Sequence, residues 1–261
     1  MHTAVSLPPF TDPATLVAMA VEAEDAGWDG VFLWDHMVLQ PEWALDVHDP
    51  WTLLGAMAQA TSRVRLGTLV TPLARRRPWV VARHLITLDH LSAGRATLGV
   101  GLGEPADADF AAFGDPADAR ERAVLLDDGL AVVDGLLRGP VAHDGPRYRV
   151  EAELRPRPVQ SPRPPIWVAA VAPHRRPLAR ALRFDGVVPL GPGDLLTPEQ
   201  LAAYLDGVER PAGWDVVANW APGASADDYA AVGATWLVEG IWPTGDWVAD
   251  VRRRITAGPG L

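Results

Sequence analysis

Eight short apolar runs alternate with stretches of helical spacing along this chain, and that alternation constrains the fold more than any other feature. The runs are Ala4 to Leu7, Gly30 to Trp34, Val64 to Thr71, Ala96 to Gly101, Ile166 to Val171, Asp185 to Leu190, Asp215 to Trp220 and Thr235 to Glu239. They are continuous rather than alternating, as in strands covered on both faces. Strand–helix alternation means a parallel sheet, and eight units mean a closed (β/α)8 TIM barrel of the α/β class. The 261 residues suit one such barrel of about 250, so residues 1–261 are read as a single domain. An open doubly wound sheet would need a glycine turn after its first strand. Here that strand ends Leu7-Pro8-Pro9-Phe10.

The helices are signalled by their ends. Asp12 and Asp49 each precede a proline, the pattern of an N-cap followed by Pro at the first helical position. Pro78 opens a helix from Trp79 to Leu91, and Gly94 closes it. Further helices are expected over Ala119 to Leu137, Arg175 to Phe184 and Thr244 to Ile255. Thr197-Pro198-Glu199-Gln200 reads as a capping box, and Ser225 caps another short helix with Asp228 three residues on. Between about residues 139 and 164 the prolines are too dense for a central strand. That stretch is read as an insertion before the fifth barrel strand, with a short hairpin around His143 to Val150.

In a barrel the loops after each strand converge on one face. Gathering them brings together Pro8-Pro9-Phe10, Trp34-Asp35-His36, Val70-Thr71-Pro72, Gly101-Leu102-Gly103-Glu104, Ala169-Ala170-Val171, Gly191 and Trp220. The set is apolar, aromatic and rich in glycine. It suits a flat hydrophobic cofactor better than a hydrolytic metal ion, which would ask for several His and Asp at strand ends; no metal is expected. The absence of cysteine excludes thiolate ligands and a Cys nucleophile. All 23 basic residues are arginine, so no lysine is present to form a Schiff base. A net charge of −10 disfavours nucleic acid and anionic membranes as partners. No apolar run reaches the roughly 18 residues of a membrane span, and the N-terminus does not read as a signal peptide. A cytoplasmic protein acting on a small molecule is the expectation.

Several segments together resemble the bacterial luciferase-like monooxygenase family of flavin- and deazaflavin-dependent oxidoreductases. They are Glu24-Asp25-Ala26-Gly27-Trp28-Asp29-Gly30-Val31-Phe32-Leu33-Trp34-Asp35-His36, Arg65-Leu66-Gly67-Thr68-Leu69-Val70-Thr71-Pro72, Thr87-Leu88-Asp89-His90-Leu91-Ser92-Ala93-Gly94-Arg95, Leu98-Gly99-Val100-Gly101-Leu102-Gly103, Arg155-Pro156-Arg157-Pro158-Val159-Gln160 and Pro164-Pro165-Ile166-Trp167-Val168-Ala169-Ala170. They cover about the first two thirds of the chain in matching order and spacing. The resemblance implies the (β/α)8 fold, a homodimer, and coenzyme F420 (a deazaflavin) or FMN lying across the barrel mouth. It implies that Val70 and Thr71 sit behind the ring, where the family often has a strained or cis peptide bond. Gly101, Leu102, Gly103 and Glu104 would flank the polyol chain and ring edge. Ala169, Ala170 and Val171 would meet the phosphate, with Arg175 and Arg176 just beyond. His36 would be the catalytic acid or base, since an imidazole titrates near neutrality, and Asp35 would orient it.

Bland readings stand beside these. Arg175 and Arg176 read more readily as a solvated helix start, Arg75-Arg76-Arg77 as a surface turn or subunit contact, and His90 as structural. Most of the 11 tryptophans read as core, with Phe10, Trp34, Trp43 and Trp220 left as pocket walls. The last third, from Gly191, departs from the family pattern. Between Leu190 and Leu237 the only basic residue is Arg210, so a neutral, fairly apolar substrate is expected rather than a sugar phosphate. The reaction expected is hydride transfer or monooxygenation; the alternative is a flavin-binding barrel that has lost its chemistry.

Overall fold

Eight parallel strands close on themselves in a computed structural model that describes residues 1–193 and 195–260. In chain order the strands are β1 (His2–Leu7), β2 (Gly30–Leu33), β3 (Arg65–Pro72) and β4 (Ala96–Gly101). A two-stranded hairpin, β5 (Val141–Asp144) and β6 (Arg149–Ala152), stands outside the barrel. The ring continues with β7 (Ile166–Val171), β8 (Gly186–Leu190), β9 (Asp215–Asn219) and β10 (Trp236–Gly240). Hairpin aside, each strand pairs with its neighbours in sequence, and β10 returns to β1 in parallel, Ala4 opposite Val238. The expected TIM barrel is therefore the observed fold.

Both faces of the sheet are buried, which is why the strand runs read as continuous. Ala4, Phe32, Trp167, Val188, Val217, Trp236 and Val238 fill the barrel interior. The Phe32 and Trp167 rings lie 5.3 Å apart, and those of Trp167 and Trp236 5.4 Å apart. Each such side chain gains on the order of 2 kcal/mol from burial. Intervening residues such as Val5, Leu7, Val31, Leu66, Leu98 and Val168 face the helices. The pleat places successive side chains on opposite faces, so each strand serves both layers.

The helices begin where the caps predict. In α1 (Pro13–Asp25) Asp12 accepts from the Thr15 amide, and in α2 (Pro50–Ala60) Asp49 accepts from the Thr52 amide. Helix α3 spans Pro78–Leu91. After β4 come α4 (Ala106–Asp109), which the sequence did not signal, and α5 (Ala119–Arg138). Helix α6 is Arg175–Ala181, shorter than expected: the Leu182 amide still donates to the Leu178 carbonyl, but Arg183 and Phe184 turn to the tighter bonds with Arg180 and Ala181. Helices α7 (Pro198–Leu205) and α8 (Ala226–Ala231) carry capping boxes at Thr197 and Ser225. Helix α9 is Trp247–Ala257, starting later than Thr244 because the Asp246 side chain caps it through the Ala249 amide.

Much of the family-like sequence is fastening. Glu24 accepts from the amides of Ser62, Arg63 and Val64 and from the Ser62 hydroxyl, tying α1 to the turn before β3. Arg95 donates to the carbonyls of Ala58, Thr61, Val64 and Ser92. Buried Asp89 accepts from the amides of Val159 and Gln160 and from the Gln160 carboxamide, anchoring the end of the proline-rich stretch. His90 meets the Arg157 carbonyl at 2.7 Å, a structural contact.

Candidate functional site

A cavity of about 220 Å³ opens at the carboxyl ends of the barrel strands. Its walls are Trp34 after β2, Leu69 and Val70 in β3, Val188 and Leu190 in β8, and Ile241 and Trp242 after β10. Only Ser6 and Asn219 add polar side chains, and no charged side chain lines it among the described residues. Trp34 is fixed from two sides: its indole N–H donates to the Ser6 hydroxyl at 2.9 Å, and the Trp242 ring meets it edge-on at 5.5 Å. Phe10 packs behind Trp34 at 6.2 Å, outside the cavity.

The floor is a disturbed stretch of β3. Pairing with β4 shifts register between Thr68 and Thr71, and the Leu69–Val70 peptide is cis. Gly101 ends β4 beside it. A Cβ there would come within 2.7 Å of Val70 Cγ2 and 3.2 Å of the Ala169 Cβ, so only glycine lets these three strand ends meet. Thr71 points away from the cavity: its hydroxyl donates to Asp35 at 2.9 Å.

His36 and Asp35 diverge. The His36 ring stands 6.1 Å from Trp34 and its Nδ1 lies 3.1 Å from Asp109 Oδ2. Asp109 also accepts from the Met37 and Val38 amides, both at 2.7 Å. Burial pushes the Asp109 carboxyl up, but His36, the Val38 amide and Arg75 outweigh it and hold it below the usual carboxylate range. Asp35, expected to orient His36, instead accepts from Thr71, Arg75 and Arg76. The orienting acid is Asp109. The run Arg75-Arg76 is thus no mere surface turn: both side chains are largely buried and brace the mouth from behind.

The remaining expected residues divide. Leu102 and Gly103 form a turn at the rim, where buried Arg122 donates to the Gly103 carbonyl and lies 4.7 Å over the Phe110 ring. Gly103 has φ +82°, and a Cβ there would meet Pro72 and Phe110. Glu104 is exposed and pairs with Arg122 at 3.2 Å. Ala169 borders Gly101, but Ala170 is wholly buried in the outer core. Val171 is on the surface. Arg175 donates to the Tyr204 carbonyl at 2.6 Å and borders a separate hollow of about 280 Å³ with Ala172, Pro192 and Gln200. Arg176 is exposed beside it. Trp43 sits on an exposed turn, and Trp220 turns its indole N–H to the Ala224 carbonyl; neither lines the cavity. Sequence reasoning missed Ser6, Leu69, Asp109, Asn219 and Trp242.

A family model described as luciferase-like monooxygenase matches residues 1–232. The chain belongs to that family. Among luciferase-like proteins it is similar to the F420-dependent glucose-6-phosphate dehydrogenase of Beutenbergia cavernae, 38% identical over 205 residues, which are 76% of this chain and 59% of that protein. The corresponding enzyme of Nakamurella multipartita is 36% identical with the same coverage. The chain thus spans about three fifths of the length of these relatives. The coenzyme F420-dependent tetrahydromethanopterin reductase of Methanopyrus kandleri superposes with a TM-score of 0.78 over 98% of this chain and 96% of that one, at 18% identity; this shows the shared luciferase-like barrel.

Proposed function

We propose that this chain is an oxidoreductase that holds coenzyme F420 or FMN across the barrel mouth and acts on a small, neutral substrate. The cavity over Leu69–Val70 carries the reading: an apolar slot walled by Trp34 and Trp242, at the strand ends where such barrels keep their chemistry. A flat conjugated ring fits these walls, and Gly101 lets Val70 and Ala169 pack together beneath them. Leu69 and Val70 would back the ring, and the hollow beside Arg175 and Ala172 would take the phosphate. When bound, the coenzyme supplies hydride transfer. His36 has Nδ1 committed to Asp109, which leaves Nε2 to hold or pass the accompanying proton. The similar dehydrogenases are named for F420, which favours the deazaflavin over FMN.

A neutral substrate is supported by the uncharged lining. Arg210, the one basic residue between Leu190 and Leu237, is turned to the Gly233 carbonyl. Asn219 lines the cavity, and among the described residues its carboxamide has no hydrogen-bond partner, so it would meet a hydroxyl or carbonyl of the substrate. We read the protein as cytoplasmic and as a homodimer. Exposed Trp79, Val80 and Leu91 along α3 support the second point, and light scattering of the purified protein tests it.

The deciding experiment is equilibrium titration with F420 and, separately, with FMN, followed by absorbance and fluorescence. Saturable binding of F420 is expected. Binding of FMN alone would move the chemistry towards oxygen, and binding of neither would overturn the reading.

A further inference from the structure

The proline-rich insertion has a definite place in the structure. Asp128 on α5 accepts from the amides of Arg147 and Tyr148 at 2.8 and 2.7 Å and from His143 Nε2 at 2.6 Å. These three contacts clamp the tip of the β5–β6 hairpin against the helix. The clamp sets Arg147 and Tyr148 across from the Arg75–Arg77 turn, and a cleft of about 300 Å³ lies between them. It shares no lining residue with the cavity at the mouth.

We propose that this cleft is a second binding site, for an oxyanion that retains a proton: hydrogen phosphate or a phosphomonoester. Four arginines border it in a chain of net charge −10. Arg75 and Arg76 are engaged by Asp35, and Arg147 by Glu121 on α5. Among the described residues the Arg77 side chain has no carboxylate partner and no hydrogen bond; it lies 5.7 Å from the Trp79 ring. Among the described residues the Nε atoms of Arg75 and Arg76 are buried donors without an acceptor, and buried donors are ordinarily paired. Tyr148 is buried, and among the described residues its hydroxyl makes no hydrogen bond. Burial pushes that phenol up, and Arg77 and Arg147 offset this only in part. Guanidinium groups present paired N–H donors that match oxyanions.

Asp115 also lines the cleft. A fully ionised anion would be repelled by it. A phosphate near neutral pH keeps a proton part of the time and can donate it to that carboxylate. Sulfate cannot. The acid therefore selects among oxyanions instead of merely weakening them.

The test is calorimetric titration of the purified protein with inorganic phosphate, and separately with sulfate, near pH 7. One saturable phosphate site is expected, with sulfate weaker. Arg77→Gln and Arg147→Gln each remove an exposed cation, so the fold should persist, and each should weaken phosphate about tenfold. Asp115→Asn should narrow the difference between the two anions. No saturable phosphate uptake, or uptake indifferent to both arginine variants, would overturn the site. Equal affinity for sulfate, unchanged in Asp115→Asn, would overturn the assignment of a protonated oxyanion. The F420 titration stands apart, because Arg77 and Arg147 take no part in the mouth.

Discussion

Asp109 Oδ2 lies 3.1 Å from His36 Nδ1, although 73 residues separate them in the chain. The same carboxylate accepts from the two amides after His36, so one side chain fixes both the imidazole and the backbone that carries it. His36→Ala should slow turnover by roughly 10² to 10⁴, the range for a lost acid–base group, while leaving coenzyme affinity within about threefold. Asp109→Asn keeps the acceptor for the amides and should cost turnover about tenfold, again with the coenzyme still bound. Rapid-mixing kinetics with reduced coenzyme, beside the binding titration, separates the two effects. Unchanged turnover in both variants would remove His36 from the chemistry.

Trp242 is 61% exposed yet meets Trp34 edge-on over the cavity. Trp242→Ala should leave stability within about 0.5 kcal/mol, as for other surface substitutions, but loosen whatever occupies the mouth. Faster coenzyme or substrate release in stopped-flow fluorescence is the expected sign.

Ala170 alternates in direction with the residues on either side of it. Its side chain is fully buried against the helix layer, so Ala170→Glu should bury an unpaired carboxyl at a cost of several kcal/mol. Loss of the cooperative urea transition is expected. A folded Ala170→Glu protein that fails only in coenzyme binding would place this side chain at the phosphate.

Glu24 supplies a pH dependence whose sign can be stated. Burial raises its carboxyl, but the amides of Val64, Arg63 and Ser62 outweigh burial and lower it overall. A lowered folded-state pKa stabilises the protein above the ordinary carboxyl value of about 4. The contribution disappears as pH falls through the lower folded value. Glu24→Gln should cost about 1–3 kcal/mol at pH 7, with the gap from wild type closing in acid. Urea melts at several pH values test this.

The barrel was legible because its cause is local. Each strand buries both faces and therefore reads as an unbroken apolar run, and the caps at Asp12, Asp49, Thr197 and Ser225 act within four residues. The mouth was legible in part. Trp34 and Val70 follow from strand ends, since those ends must converge; His36 leaves the same end as Trp34 but does not line the cavity. Asp109 could not be singled out, because it lies in a four-residue helix with Asp107 two positions earlier and nothing local to say which acid turns inward. Ser6 and Asn219 were hidden inside runs read simply as strands. The partner of Asp35 was misassigned for a related reason: adjacent residues leaving a strand point apart, and only the packed structure shows that Asp35 faces the arginines.

The closure of β10 onto β1 has a consequence for synthesis. Ser6 enters the cavity from the first strand, and Ile241 and Trp242 from just beyond the last. A nascent chain that has already formed its His36–Asp109 pair still lacks one wall of the pocket until its tenth strand emerges. Ligand capture should therefore report that the ring has closed, and translation intermediates arrested before Trp236 should bind nothing at the mouth.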